Sequence, residues 1–400
     1  MSYIIRLFWL SVIGFGLIAC SDEYITTPQV TLTQPLETPT SQQIAIEPSL
    51  PPQDTTGASV EPIPAEPAIF PFSERGQYWT GRKEFTLVDA SREGREISLT
   101  VWYPALKETD AEGKLISLDA APDMSQAPYP LILTGTATGD YLLKSHLASY
   151  GFVAVIIRFP DTYDSVDFQV IDYPLDLLFA LDQIGLNSLE GLENVIDSDH
   201  TGVTGFSGDG WLSMAVSGVR LNPEFYLSFC EQIPELEPAL AEWYGKYFCG
   251  LAMKWDSFAA YVGPEYTDTE DGLWRPVTDE RIIAVLPMAV DGAWLYGERG
   301  LASANRPTLM IAPTEDQYTP YEFETVFIYE NLGAPEKALI SFIGKNHDMP
   351  FESEAADRMK HFAVAFFGYH LQGREDYAYY FSDDFVAQFD DLAWGVYPGE

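Results

Sequence analysis

The chain has few basic residues, few histidines and few cysteines for its length of 400 residues. Its 22 lysines and arginines stand against 60 aspartates and glutamates, which gives a formal net charge of −38 at pH 7. A nucleic-acid site needs a basic patch that displaces counterions, so this balance excludes unassisted nucleic-acid binding. The same charge opposes adsorption to an anionic lipid surface. We interpret most of it as a solvated acidic face.

Metal-site and nucleotide-site signatures are also missing. The three cysteines and five histidines do not have the spacing of a zinc site. A Gly/Thr-rich stretch at 134–139 lacks the Gly-Lys-Ser/Thr sequence of a phosphate-binding loop. We therefore expect chemistry that uses no metal and no cofactor.

The first 19 residues are predicted to be an export signal. Arg6 precedes an apolar run over residues 7–19, which is shorter than the ~20 residues that span a bilayer. The run ends in Leu17-Ile-Ala-Cys20, which resembles the bacterial lipoprotein cleavage box. Cleavage there makes Cys20 a lipidated N-terminus, anchored by several acyl chains to the outside of a bacterial membrane. An ordinary signal peptide followed by a chance cysteine is the alternative.

Residues 20–75 are predicted to be a tether without stable structure. Residues 21–69 are rich in Pro, Thr, Gln and Glu, contain no Lys or Arg, and show little periodicity. Such a composition buries too little apolar surface to fold by itself. The tether would hold a folded domain, residues 76–400, away from the membrane.

Strand and helix patterns alternate within that domain from Ile97 onward. This alternation predicts an α/β fold in which helices cover both faces of a mainly parallel sheet. Residues 222–280 leave the alternation and form a helical, aromatic-rich insertion.

The stretch 201–211 predicts a sharp strand-to-helix turn with a serine at its tip. Ser207 follows an apolar run and lies among Gly205, Gly208 and Gly210. The glycines let strand and helix approach closely, and such a turn exposes the serine hydroxyl as a nucleophile. A glycine-rich turn with an incidental serine is the alternative, because the last glycine of the G-x-S-x-G pattern is replaced by an aspartate, Asp209.

A carboxylate and a histidine follow in the order that serine hydrolases of this type use. A strand pattern at 306–313 leads into a polar loop with Asp316, and another at 338–344 leads into a loop with His347. The order serine, carboxylate, histidine, each after a strand, is typical of a catalytic triad. Three other carboxylates near the ends of strand patterns are alternatives to Asp316 as the acid of the triad: Glu315, Asp348 and Asp291.

In order and spacing these motifs resemble the bacterial α/β-hydrolases grouped with platelet-activating-factor acetylhydrolase and dienelactone hydrolase. The resemblance begins with a strand that ends in Trp102-Tyr-Pro104 and extends through the serine turn to the C-terminus. It implies an α/β-hydrolase fold with a cap after the helix that follows the serine. It also implies hydrolysis of carboxylic esters with short acyl chains, on phospholipid or lactone-like substrates.

The resemblance assigns roles to individual residues. Ser207 would be the nucleophile, His347 the base and Asp316 the acid that orients it. Two backbone N–H groups would bind the oxyanion, that of Gly208 and that of Thr138, with Ala137 as the alternative to Thr138.

Two departures from the family pattern leave a second function open. The loop 134–139 carries no His-Gly where the family usually has it. Asp209 lies in the first helical turn, where a carboxylate near a developing oxyanion is unfavourable unless it points away from Ser207. The alternative is therefore a lipoprotein of the same fold that binds a ligand without turning it over.

The insertion at 222–280 is predicted to be a cap over an apolar substrate pocket. Its aromatic residues Trp243 and Phe248, with Trp211 of the preceding helix, are candidates to line that pocket. Ordinary core packing within the cap is the alternative. Cys230 and Cys249 also lie in the insertion, where an exported chain permits a disulfide; two buried thiols are the alternative.

Overall fold

A nine-stranded sheet organises the part of the chain that the structure describes. The computed structural model describes residues 70–136, 143–161, 165–186 and 189–399, which belong to one compact unit. The strands of the large sheet are β1 (Trp79–Asp89), β2 (Arg95–Ala105), β5 (Tyr129–Gly135), β6 (Val153–Arg158), β7 (Ile196–Phe206), β8 (Ile282–Met288), β9 (Thr308–Pro313), β10 (Lys337–Phe342) and β11 (Leu392–Trp394). A separate two-stranded ribbon is formed by β3 (Glu108–Thr109) and β4 (Leu115–Ile116).

The centre of the large sheet is parallel and its margins are antiparallel. The strands lie in the order β1-β2-β6-β5-β7-β8-β9-β10-β11. All neighbours from β6 to β10 pair in parallel, whereas β1 with β2, β2 with β6, and β10 with β11 pair antiparallel. The prediction of an α/β fold with a mainly parallel sheet is therefore confirmed.

Helices cover both faces of this sheet. They are α1 (Lys144–Ser149), α2 (Gln169–Leu186), α3 (Gly208–Ala215), α4 (Pro223–Gln232), α5 (Pro238–Tyr247), α6 (Trp255–Val262), α7 (Pro264–Thr267), α8 (Ala293–Leu301), α9 (Phe327–Asn331), α10 (Ser353–Gln372) and α11 (Asp383–Val386). One core contains apolar residues of α2, α3 and α8, and the other contains those of α1 and α10.

The two cores follow from the alternation of side chains along each strand. Leu131 and Leu133 of β5 pack into the core with α2, while Ile132 between them packs into the core with α10. All three side chains are fully buried. A central parallel strand buried on both faces is apolar at successive positions, which is why these strands are recognisable as short apolar runs in the sequence.

The edge strand β1 was not anticipated from the sequence. It pairs with β2 along its whole length, and the connecting turn carries Glu93 and Gly94 at φ 57° and 78°. The strand includes the charged run Arg82-Lys-Glu84 and is partly exposed, so it lacks the apolar signal of the central strands.

The folded domain begins earlier than residue 76. Phe72 is 8% exposed in the core with α10, and its N–H donates to Nδ1 of His361 at 3.2 Å. Phe70 stacks on Phe389 with ring centroids 4.5 Å apart. The predicted tether boundary at residue 75 is thus corrected, because these aromatic side chains dock onto the C-terminal helices.

The predicted signal peptide, Cys20 and the rest of the tether lie outside the described residues. Among the residues that are described, no helix combines the length and the apolarity needed to cross a membrane.

The insertion between α3 and β8 is helical, as its sequence pattern predicts. It contains α4 to α7, and the side chain of Asn222 caps α4 by accepting from the N–H of Phe225 at 3.2 Å. A disulfide joins Cys230 of α4 to Cys249, which follows α5. The insertion is therefore cross-linked within itself.

Candidate active site

Ser207 lies at the tip of the turn from β7 to α3. Its backbone has φ 58° and ψ −125°, a conformation that non-glycine residues rarely adopt. Its N–H donates to the carbonyl of Met288 at the end of β8, at 2.9 Å. A Cβ on Gly205 would stand 2.2 Å from the backbone of Asp209, and one on Gly210 would stand 2.5 Å from the Met288 oxygen. The glycines are thus required by the close approach of strand and helix.

The structure brings Ser207, Asp316 and His347 together in one hydrogen-bonded chain. Nε2 of His347 lies 2.9 Å from Oγ of Ser207, and Nδ1 lies 2.7 Å from Oδ2 of Asp316. Asp316 follows β9 and His347 follows β10, so parallel pairing brings both loops to the same edge of the sheet as the end of β7. The arrangement can move a proton from the serine hydroxyl to the imidazole.

The carboxylate of Asp316 is fixed on both oxygens. Oδ1 accepts from the N–H groups of Tyr318 and Thr319, each at 2.8 Å, while Oδ2 faces the imidazole. The side chain is 1% exposed, against 14% for that of His347. The hydrogen bond to the imidazole is thus formed by Asp316 and not by the other candidate acids, Glu315, Asp348 and Asp291.

Aromatic rings flank the imidazole. The ring of Phe206 lies 4.9 Å from that of His347, and Tyr318 lies 5.1 Å away in an edge arrangement. These contacts and the bond to Asp316 together restrict the rotation of His347.

Two further acids, Glu324 and Asp291, lie close to each other near the site. Glu324 is fully buried, accepts from the N–H groups of Gly292 and Ala293 at 3.0 and 2.9 Å, and accepts from the hydroxyl of Tyr244. Burial raises the pKa of Glu324, and the negative charge of nearby Asp291 raises it further. The interaction ties α5 of the insertion to the loop after β8.

Asp291 is the second acid of this pair. Burial raises its pKa and the negative charge of Asp316 adds to that rise, while a hydrogen bond from its own backbone N–H and the neighbouring imidazole of His347 oppose it. Sequence reasoning considered Asp291 only as a triad acid. It included Tyr244 only among the aromatic residues of the insertion, and it missed Glu324, because no local pattern distinguishes that acid from a surface residue.

A cavity of about 300 Å³ adjoins the serine turn. Trp211 lines it, as the sequence predicted, and so do Gly208 and Asp209 beside Ser207. Trp243 and Phe248, the other two residues predicted to line a substrate pocket, do not line this cavity. The Phe248 ring is buried 5.1 Å from that of Tyr244 in the insertion and 5.0 Å from that of Trp294, which does line the cavity. The Trp243 ring lies 4.5 Å from that of Tyr247 and 5.4 Å from that of Tyr318, the ring that contacts His347.

The predicted oxyanion donors are described only in part. Gly208 is the first residue of α3 and is exposed, so its N–H belongs to the first-turn donors that have no partner within the helix. Thr138 lies outside the described residues, although Thr136, two positions earlier, lines the same cavity. The carboxylate of Asp209 reaches the end of β5, where its Oδ1 would be 2.0 Å from a Cβ placed on Gly135.

A larger open cleft lies at the amino ends of the strands. Its volume is about 900 Å³, and it is lined by Tyr129 at the start of β5 and Gln372 at the end of α10. No residue of the hydrogen-bonded chain at Ser207 lines it, so it is separate from the candidate active site.

Within the described residues, no three side chains of His, Cys, Asp or Glu converge as a metal ion would require. No protein-family model matches the chain, and a search of curated proteins also finds no match.

Proposed function

We propose that this protein is a serine-dependent carboxylic ester hydrolase with an α/β-hydrolase fold. The observation that carries the proposal is the continuous hydrogen-bonded chain from Ser207 through His347 to Asp316. A serine held in a strained turn at the carboxyl edge of a parallel sheet, next to a cavity, supports the same function.

Acylation would use the three side chains in sequence. Nε2 of His347 takes the proton of the Ser207 hydroxyl as its oxygen attacks the ester carbonyl carbon. The Asp316 carboxylate holds the imidazole in the tautomer that accepts this proton and stabilises the imidazolium that results. The imidazolium then protonates the departing alcohol oxygen.

Oxyanion stabilisation would come from backbone N–H groups. The N–H of Gly208 at the start of α3 would be one donor, and the chain segment that follows β5 and contains Thr138 would supply the other. Deacylation repeats the proton transfers with water as the nucleophile. Nucleophile, base and oxyanion donors all come from the protein chain.

The substrate would be an ester with a short acyl group. A cavity of about 300 Å³ lies at the lower end of the size range of small-molecule sites, which favours compact esters over long acyl chains. The resemblance to the acetylhydrolase and dienelactone hydrolase group supports the same class. We further propose that the enzyme acts outside a bacterial membrane, anchored through Cys20.

Replacement of the nucleophile tests this function. The variant Ser207→Ala should hydrolyse p-nitrophenyl acetate several orders of magnitude more slowly than the wild type while remaining folded. The control is Ser257→Ala, since Ser257 is an exposed serine of α6. Turnover by Ser207→Ala close to that of the control would contradict the proposal.

A ligand-binding protein without turnover is the second candidate. One observation favours it: the carboxylate-bearing residue Asp209 lines the cavity beside Gly208, where a negative charge opposes formation of an oxyanion. Under this alternative, the wild type and Ser207→Ala would be equally inactive towards a panel of p-nitrophenyl esters of increasing chain length.

A further inference from the structure

The loop after β8 supports the nucleophile turn. Met288 ends β8, and its carbonyl accepts the N–H of Ser207 at 2.9 Å. The next residue, Ala289, has φ 44°, and Ser207 itself has φ 58°. Backbone conformations that non-glycine residues rarely adopt therefore lie on both sides of this hydrogen bond. Such strain persists only where the surrounding contacts fix the backbone.

Glu324 fixes the far end of that loop. Its Oε2 accepts from the N–H groups of Gly292 and Ala293 at 3.0 and 2.9 Å. These two residues begin α8, whose first N–H groups have no partner within the helix, so the carboxyl group caps the helix. Gly292 has φ 124°, a conformation that is open mainly to glycine. The loop is thus held at one end by Ser207 and at the other by Glu324.

The helical insertion holds Glu324 in turn. Oε1 of Glu324 accepts from the hydroxyl of Tyr244 in α5. Glu324 is 0% exposed and Tyr244 is 1% exposed, so the hydrogen bonds between them and the loop are shielded from water. The Tyr244 ring lies 5.4 Å from that of Phe229 and 5.1 Å from that of Phe248. The position of the Tyr244 hydroxyl therefore depends on the packing of the insertion.

We propose that Glu324 is a positioning residue through which the helical insertion sets the geometry of the nucleophile turn. This inference rests on the proposed ester hydrolase function. Glu324 does not line the cavity beside Ser207, so it acts through the loop after β8. A shift of its carboxyl group moves Gly292 at one end of the loop, and the carbonyl of Met288 at the other end moves the N–H of Ser207.

A small displacement of the turn is enough to slow the proposed reaction. Oγ of Ser207 lies 2.9 Å from Nε2 of His347, whereas His347 is held separately by its bond to Asp316. A displaced turn lengthens the bond from serine to histidine and leaves the pair of histidine and aspartate in place. A misplacement of about 1 Å can cost about a hundredfold in rate. We therefore expect kcat to fall by a larger factor than KM rises.

Removal of the Tyr244 hydroxyl tests the link to the insertion. Tyr244→Phe keeps the packed ring and should lower kcat for p-nitrophenyl acetate about five- to tenfold, with a smaller change in KM. The control is Tyr247→Phe, which removes a hydroxyl from a half-buried position of the same helix. Circular dichroism checks that both variants are folded at the assay temperature. Equal kcat values for the two variants would overturn the inference.

Variants at Glu324 separate positioning from stability. Glu324→Met removes both acceptor oxygens at nearly the same side-chain length and should lower kcat per folded molecule about tenfold or more. Glu324→Gln, whose carbonyl oxygen can still accept from Gly292 and Ala293, should recover most of that loss. A lowered Tm with the kcat of the wild type in Glu324→Met would show that Glu324 only stabilises the fold, and would overturn the inference. Should Glu324→Met not fold, Tyr244→Phe decides.

Amide hydrogen exchange tests the same path without turnover. The N–H groups of Gly292 and Ala293 should exchange about tenfold faster in Tyr244→Phe than in the wild type or in Tyr247→Phe. Mass spectrometry of a peptide that covers the loop measures this rate. Unchanged exchange in Tyr244→Phe would overturn the inference. Faster exchange in Tyr244→Phe, together with a wild type that hydrolyses no ester, would contradict only the proposed function.

Discussion

Asp316 holds His347 with one carboxylate oxygen and is itself held through the other by two backbone N–H groups. An asparagine at this position keeps the shape of the side chain. Its N–H₂ group, however, must face either the two backbone N–H donors or the N–H of the His347 imidazole. The imidazole then loses either its orientation or its preferred tautomer.

Asp316→Asn should therefore lower kcat for p-nitrophenyl acetate by about three to four orders of magnitude. The matched control is Glu315→Gln, which alters the adjacent, exposed acid. Steady-state kinetics on both variants gives the comparison. A loss of similar size in the control, or near-normal activity of Asp316→Asn, would assign the orienting role elsewhere.

Glu324 makes a different contribution, because it is fully buried near Asp291 and favours its protonated form. In the window between the ordinary glutamate pKa of 4.5 and the raised pKa of the folded protein, the native state retains a proton that the unfolded state has lost. The contribution of Glu324 to the free energy of unfolding is therefore greatest below that pH window. It falls as the pH rises through the window, by up to about 1.4 kcal/mol per pH unit.

Glu324→Gln should consequently show a flatter decline of unfolding free energy between about pH 5 and about pH 8 than the wild type. Glu322→Gln is the control, because Glu322 is exposed in the same helical segment and its replacement removes the same formal charge. Denaturant unfolding at several pH values measures the slopes. Parallel slopes for the wild type and both variants would contradict the raised pKa.

At the scale of elements, aromatic packing holds the helical insertion at 222–280 together and joins it to α8. Phe248 is 7% exposed, with neighbouring ring centroids at 5.1 Å for Tyr244 and 5.0 Å for Trp294. The disulfide between Cys230 and Cys249 fixes the chain immediately after Phe248. We therefore expect Phe248 to affect the site only through the packing of the insertion against α8.

Phe248→Ala should cost about 3–5 kcal/mol of stability and reduce hydrolysis of short and long esters by the same factor. Met253→Ala, at a position that is 90% exposed in the same insertion, should change neither. Thermal unfolding and two p-nitrophenyl esters of different chain length separate the effects. Selective loss of the longer ester at unchanged stability would instead place Phe248 at the substrate.

The elements that could be predicted from the sequence are those with a distinctive local pattern of residues. The central strands are apolar runs, and the turn at Ser207 has glycines where a Cβ would collide with backbone. Edge strand β1 and the docking of Phe70 and Phe72 were missed, because a charged edge strand and aromatic residues in a proline-rich stretch have no distinctive period. The segment 222–280 was recognised as a helical insertion, but the direction of its side chains depends on tertiary packing.

For the whole molecule, the order serine, carboxylate, histidine was readable because parallel strands bring successive loops to one edge of the sheet. The pair formed by Glu324 and Asp291 was not readable, since their meeting depends on two distant segments packing on each other. The N-terminal segment stays a prediction from sequence.

The mature protein should begin at Cys20 and partition with membranes. The apolar run before Leu17-Ile-Ala-Cys20 is too short to span a bilayer, so retention would depend on the acyl chains attached at the cysteine. Cys20→Ser should release the protein or leave the precursor uncleaved. Mass spectrometry of the N-terminus decides the matter, and an unmodified N-terminus at another position would refute the prediction.

The central claim is that Ser207 is an activated nucleophile, and a fluorophosphonate probe tests it most directly. We predict that the wild type takes up one phosphonyl group, that peptide mass spectrometry places it on Ser207, and that Ser207→Ala takes up none. Asp316→Asn should react far more slowly. Absence of labelling in the folded wild type, or a label on a different serine, would contradict the account.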